Sequence, residues 1–153
     1  MRIVLQRVKE ASVRSGGREV AHIGCGLLLL VGLGRGDDPN EVRFWAQKIP
    51  DLRVFPDEKG RMNRSLRDVG GEILCVSQFT LYGEAVRGRR PGFDRAAPSA
   101  EASSLYETFL AELRAQGAPV QSGLFGARME VALINDGPVT LILERPVAQW
   151  GHP

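Results

Sequence analysis

The chain has 153 residues, with 43% hydrophobic and 25% charged residues and a formal net charge of +2. That length suits one domain with a core able to stand without disulfide or metal staples. The composition excludes disordered, collagen-like and coiled-coil chains. The longest apolar stretch, Leu27 to Leu33, is too short to span a bilayer. The N-terminus lacks the long apolar region and cleavage site of a signal peptide, so a cytoplasmic protein is expected.

Arg2 to Val8 reads as a strand, with Ala11 to Arg14 as its continuation or a second strand. Ser15-Gly16-Gly17-Arg18 is a turn, followed by a short strand from Glu19 to Ile23. Gly24-Cys25-Gly26 turns again. The continuous apolar run from Leu27 to Leu33 reads as a buried central strand. An Asp N-cap and Pro39 near the first position open a helix, with Val42, Trp45, Ala46 and Ile49 on one face. Pro50 ends it.

Leu52 to Phe55 is expected as a short strand, with Pro56 to Gly60 as a turn. Gly70-Gly71 precedes a strand from Glu72 to Phe79. Residues 83 to 98 form a Gly/Pro/Arg loop, long enough to be functional or mobile. Ser99 to Gln116 is a second helix, with Ala102, Leu105, Phe109 and Leu113 on one face and Gly117 as its stop. Two strands, Met129 to Ile134 and Val139 to Glu144, are joined by Asn135-Asp136-Gly137-Pro138. The elements predict an α/β domain over residues 1–145. Its sheet is mixed, largely antiparallel, curved and barrel-like, with packed helices. Residues 146–153 form a tail.

Obvious catalytic side chains are scarce. His22 and His152 lie near the ends without a motif and read as surface residues. Cys25 and Cys75 make no metal-ligand spacing, and Cys75 reads as a core thiol. Gly24-Cys25-Gly26 does not complete a dinucleotide fingerprint, and no P-loop is present. No spacing marks a carboxylate pair. Charge, however, is unevenly spread. Of the 20 cationic residues 17 are Arg, and Arg87, Arg89, Arg90 and Arg95 face only Asp94 between positions 87 and 95. Guanidinium forks suit phosphate, and a solvated loop is the plainer alternative.

Two segments draw attention. Ser77-Gln78-Phe79-Thr80-Leu81 puts three hydrogen-bonding side chains at the end of an apolar strand. They either face a ligand or cap the strand. Asn135-Asp136-Gly137-Pro138-Val139-Thr140 begins like a hairpin turn, but Pro after Gly is odd there and raises the chance of a cis peptide.

These two segments, in this order, resemble the D-aminoacyl-tRNA deacylase family. The resemblance also takes in Gln6-Arg7-Val8, Gly60-Arg61-Met62-Asn63-Arg64-Ser65, Arg90-Pro91 and Gly123-Leu124-Phe125-Gly126-Ala127. It implies a homodimer with its site at the subunit interface. Gly137 and Pro138 of one subunit would enter the partner's pocket, lined by Ser77, Gln78, Phe79 and Thr80. Arg7 would brace the Gly-Pro loop, and Met129 would lie close by. The substrate would be the 3′ end of an aminoacyl-tRNA carrying a D-amino acid. The implied range extends to glycyl-tRNA, including glycine mischarged on tRNA-Ala. The Phe79 and Thr80 N–H groups would hold the carbonyl oxygen, with Gln78 beside them and the 2′-OH of the terminal ribose assisting. An older reading makes Thr80 the nucleophile. The resemblance makes Arg87, Arg89 and Arg90 candidates for tRNA contact, and implies no cofactor, metal, membrane or DNA partner. A non-catalytic RNA-binding module and a small-molecule esterase using Thr80 are the rival readings.

Overall fold

A computed structural model describes residues 1–145. The tail expected at 146–153 and His152 lie outside the described residues. In chain order the elements are β1 (Arg2–Ser15), β2 (Arg18–Ile23), β3 (Gly26–Gly32), α1 (Pro39–Lys48), β4 (Phe55–Pro56), β5 (Met62–Arg64), α2 (Leu66–Val69), β6 (Glu72–Ser77), α3 (Ser99–Ala115), β7 (Val120–Ser122) and β8 (Glu130–Glu144). The architecture is the expected mixed α/β one. Among the described residues no helix is long and apolar enough to cross a membrane.

β1 organises the sheet. Along one edge it pairs antiparallel with β3 through residues 2–8 and with β2 through residues 11–15. Along the other edge it pairs antiparallel with β8. β3, β6 and β7 then continue the sheet in parallel. The sheet curves until β2 nears β7. The Gln121 side-chain amide spans the gap, donating to the His22 carbonyl (2.7 Å) and accepting from its N–H (3.0 Å). One side chain thus stands in for a missing ladder step.

Both faces of the central strands are buried, which is why Leu27 to Leu33 reads as an unbroken apolar run. Leu27, Leu29, Val31, Ile73 and Cys75 face a core shared with the helices. Leu28, Leu74 and Val76 face a second core inside the curve, with Val8, Val13 and Ile23. Asp38 caps α1, its carboxylate accepting from the Asn40 and Glu41 N–H groups. Val42, Trp45, Ala46 and Ile49 are all buried. The apolar face of α3 is wider than its spacing suggests. Tyr106 and Leu110 are buried beside Ala102, Phe109 and Leu113, while Leu105 is only half-buried. The Tyr106 hydroxyl donates to the Cys75 carbonyl (3.1 Å). Cys75 is fully buried, which pushes its thiol well above the ordinary range, and Cys25 is exposed.

Several boundaries differ from expectation. Leu52 to Phe55 is not a strand. The Leu52 N–H returns to Ile49, closing a 3₁₀ turn, and only Phe55–Pro56 pairs, with Met62–Arg64. β5, β7 and α2 have three, three and four residues, too short to leave a periodic signal. β6 stops at Ser77, and Phe79 begins a 3₁₀ turn instead of ending the strand.

The largest correction concerns residues 130–144. They are not two strands joined by a hairpin. Asn135 stands opposite Val8 and Thr140 opposite Gln6, with the chain running the same way on both sides. Residues 136–139 therefore bulge out opposite Arg7 alone. The Asn135 amide bridges the base of the bulge. It accepts from the Val139 N–H (2.8 Å) and donates to Thr140 Oγ1 (2.9 Å). Gln6 Nε2 donates to the same hydroxyl (3.2 Å). Beneath the bulge lies the Arg7 guanidinium, 8% exposed. Its Nε donates to the Asp136 carbonyl (2.9 Å) and its Nη1 to the Val54 carbonyl (2.7 Å). Gly137 has φ +132°, and a Cβ there would lie 2.9 Å from Arg7 Nη2. Only glycine fits. The Gly137–Pro138 peptide is cis.

Arg7→Ala strips two carbonyls of their donor. It is expected to lower stability in urea unfolding by about 2–4 kcal/mol, from a cost of about 1–3 kcal/mol per buried unsatisfied group. Arg7→Lys should recover less than half of that loss, because an ammonium lacks the rigid fork.

Candidate active site

The main cleft, of about 620 Å³, opens where the parallel strands β3 and β6 end. Crevices outside the carboxyl ends of parallel strands are common ligand sites. Val31 and Val76 form its floor, with Met129 and Val131 alongside. The first turn of α3, from Ser99 to Ala102, and the segment Phe125 to Ala127 form its walls.

The end of β6 is set by one bond. The Gln78 N–H donates to the Val31 carbonyl (2.8 Å), and the chain then leaves the ladder. Gln78 has φ −146° and ψ 76°, and Phe79–Tyr82 follows as a 3₁₀ turn. The turn lies directly on Gly32, where a Cβ would sit 3.1 Å from both the Gln78 carbonyl oxygen and Leu81 Cβ. Inside the turn the Leu81 N–H returns to Gln78 and the Gly83 N–H to Thr80. The N–H groups of Phe79 and Thr80 have no protein acceptor among the described residues. Two adjacent free donors at the edge of an apolar cleft suit an oxygen that gains negative charge.

The side chains offer little else to chemistry. Arg35 is the one ionisable residue lining the cleft among the described residues. Tyr82, the last residue of the turn, has its hydroxyl pushed up to about 12, chiefly by burial and then by nearby Asp37. It is neutral at working pH and no base. Thr80 is exposed, and its Oγ1 accepts a hydrogen bond from Gln78 Nε2. An amide is no general base, and among the described residues no carboxylate or imidazole is hydrogen-bonded to Thr80. Among the described residues no three His, Cys, Asp or Glu side chains converge as a metal would require.

Of the expected site residues, Ser77, Gln78, Phe79 and Met129 meet at this cleft. Thr80 follows on the turn. Arg7, Gly137 and Pro138 do not join them. Their bulge belongs to β8, which reaches the cleft only at its start, through Val131. Asp136, where the bulge begins, is five residues further along the strand, about 16 Å of extended chain. Gly137 and Pro138 are exposed and are not among the residues lining the cleft.

Arg87, Arg89 and Arg90 are exposed on an ordered excursion. Glu84 and Gly92 exchange both backbone hydrogen bonds at its neck (2.8 and 2.9 Å). Its base is fastened to the end of β3. The Arg35 N–H donates to the Arg95 carbonyl (3.0 Å) and Arg35 Nε to the Asp94 carbonyl (2.6 Å). Sequence reasoning missed Arg35, Phe93 and Phe125 as cleft residues, since each comes from a different segment. Asn135, Thr140 and Gln6 lay inside the motifs noted, but their joint clamp depends on the pairing of β1 with β8.

The family model for D-Tyr-tRNA(Tyr) deacylase matches residues 4–144. A D-aminoacyl-tRNA deacylase of Exiguobacterium sibiricum is 59% identical over 145 residues, covering 95% of this chain and 100% of the relative. That of Thermomicrobium roseum is 57% identical over 151 residues, covering 99% and 98%. The solved structure of a c-Myc DNA Unwinding Element Binding Protein superposes with a TM-score of 0.88 at 43% identity, covering 95% and 99%. A probable eukaryotic D-amino acid tRNA deacylase shares the fold, with a TM-score of 0.76 at 21% identity over 93% and 97%. The chain belongs to the D-Tyr-tRNA(Tyr) deacylase family and is a D-aminoacyl-tRNA deacylase, a hydrolase of carboxylic esters.

Proposed function

We propose that this enzyme removes D-amino acids from the 3′ end of tRNA in the cytoplasm by holding the ester in a backbone oxyanion site. The carrying observation is the pair of free N–H groups at Phe79 and Thr80 beside a cleft whose lining, among the described residues, holds no carboxylate, histidine or cysteine. An aminoacyl ester is already activated. Positioning and oxyanion stabilisation are then enough. Water adds to the carbonyl carbon, and the negative oxygen sits on the two N–H groups. The C–O bond to the ribose then breaks. The proton lost by the attacking water passes to the leaving ribose oxygen through the neighbouring 2′-OH. The products are free tRNA and the D-amino acid.

Chirality comes from a second copy of the chain. Gly137 and Pro138 of one protomer enter the partner's cleft, where their carbonyls hold the substrate amino group. From Cα only one direction then has room for a side chain, and an L-residue meets backbone that cannot rotate away. Glycine, with no side chain, passes the filter. Two observations support the dimer. The bulge is held by Arg7 yet is not among the residues lining its own cleft. β8 also presents apolar side chains outward, with Ile134 50% and Ile142 69% exposed. A charge on this face should split the dimer. Ile142→Asp is expected to sediment as a monomer and to lose deacylation, with its melting transition kept.

The test of the reaction is paired hydrolysis of D-Tyr-tRNA and L-Tyr-tRNA. Loss of the D-ester alone is expected. Thr80→Ala should keep kcat within about threefold, while a fall of about 1,000-fold would restore the nucleophile reading. Equal loss of both esters would overturn the filter, and loss of neither would favour an RNA-binding module. Arg89 and Arg90 contact the phosphates of the acceptor end. Replacing both by Ala should flatten the slope of log KM against log salt by about 1.4 to 1.8. An unchanged slope would make the loop merely solvated.

A further inference from the structure

The 3₁₀ turn that carries the two free N–H groups is anchored at its far end, where Tyr82 is buried and Arg2 Nη1 donates to the Leu81 carbonyl (2.7 Å), but not at Phe79. It spans four residues, Phe79 to Tyr82. Short 3₁₀ turns have poor hydrogen-bond geometry and depend on their surroundings. Phe79 at its start is 57% exposed, so no core fixes that end. What touches it is Phe93. The two rings meet edge to face, with centroids 5.1 Å apart and planes at 67°. The same ring also covers the far end of the turn, since a Cβ on Gly83 would lie 3.2 Å from Phe93 Cε1. Phe93 thus supports the otherwise unanchored Phe79 end and touches the chain again just past the turn.

Phe93 is itself well anchored. Its carbonyl accepts from the Ala96 N–H (3.0 Å). The next two carbonyls, of Asp94 and Arg95, are held by Arg35 from the end of β3 (2.6 and 3.0 Å). On its other side Gly92 closes the neck of the arginine excursion. Phe93 thus joins the basic loop to the turn.

We infer that Phe93 is a positioning residue for deacylation, clamping the Phe79–Tyr82 turn so that the Phe79 and Thr80 N–H groups keep one arrangement. The inference rests on the proposed role of that turn. A ring that merely filled space would affect stability or binding. A clamp on the oxyanion donors affects the rate of the bound ester.

The experiment is single-turnover deacylation of D-Tyr-tRNA over a range of enzyme concentrations, with thermal melting in parallel. Phe93→Ala should lower the saturated rate constant by about 10- to 100-fold, the cost of a displacement of about 1 Å at a reacting centre. The half-saturating concentration should move less than about threefold, and Phe93→Tyr, which keeps the ring, should restore the rate to within about threefold. If Phe93→Ala does not fold, Phe93→Leu is measured against the same expectation. A saturated rate within about twofold of wild type, a loss confined to half-saturation, or a Tyr variant as slow as the Ala variant would overturn the clamp. Ala127→Trp separates this from failure of the underlying reading, because it fills the cleft itself. Full turnover in Ala127→Trp would mean that the reaction lies elsewhere. An inactive Ala127→Trp beside a normal Phe93→Ala would mean that the clamp alone is wrong.

Discussion

Burial of β3 and β6 on both faces decides where polar chemistry can occur. Leu27, Leu29 and Val31 lie against the helices, while Leu28, Leu74 and Val76 fill the inside of the curve. Between those layers every backbone group must be paired within the ladder. Donors become available only where the ladder stops. It stops at the bond from Gln78 to Val31, and the next two N–H groups are the free ones. The cleft, the turn and the basic loop are all arranged around that one termination.

A second constraint is the buried charge of Arg7. A guanidinium at this depth requires its hydrogen bonds. It finds them on Asp136 and Val54, which ties the bulge of β8 to the segment after α1. Asn135 and Gln6 secure the same bulge from the strand side, through Val139 and Thr140. A bulge proposed to select by steric exclusion has to hold its shape, and this one is held by amide and guanidinium groups set in a β-ladder. In the proposed reaction the labour is divided between two backbone features, a turn that donates N–H groups and a bulge that presents carbonyls. Neither needs a titrating side chain, which accords with an ester substrate that is already reactive.

Much of this was legible in the chain. The Leu27 to Leu33 run, the Asp38 cap with its apolar face, and the long α3 follow from burial and periodicity, and the structure contains them. Boundaries failed where a tertiary partner intervened. Val54 gives its carbonyl to Arg7 and not to a neighbouring strand, so the expected strand at 52–55 shrinks to Phe55–Pro56. Asn135 replaces a ladder step with its side chain, so a segment that reads as a hairpin continues as one strand. Neither exchange leaves a local pattern.

The sequence by itself determined the α/β class, the central strand, the two main helices and the residue types of both motifs. It also placed Ser77, Gln78 and Phe79 at the end of an apolar strand, because hydrophobic periodicity and capping are local properties. Only the tertiary structure decided which segments meet. It joined Phe93 from a loop, Arg35 from beyond β3 and Phe125 from near β8 to the Phe79 turn. It also left the Gly137–Pro138 bulge outside the lining of its own cleft. The reason is that such contacts depend on strand order and register. These are fixed by the simultaneous packing of both sheet faces, and no short window of the chain contains that information.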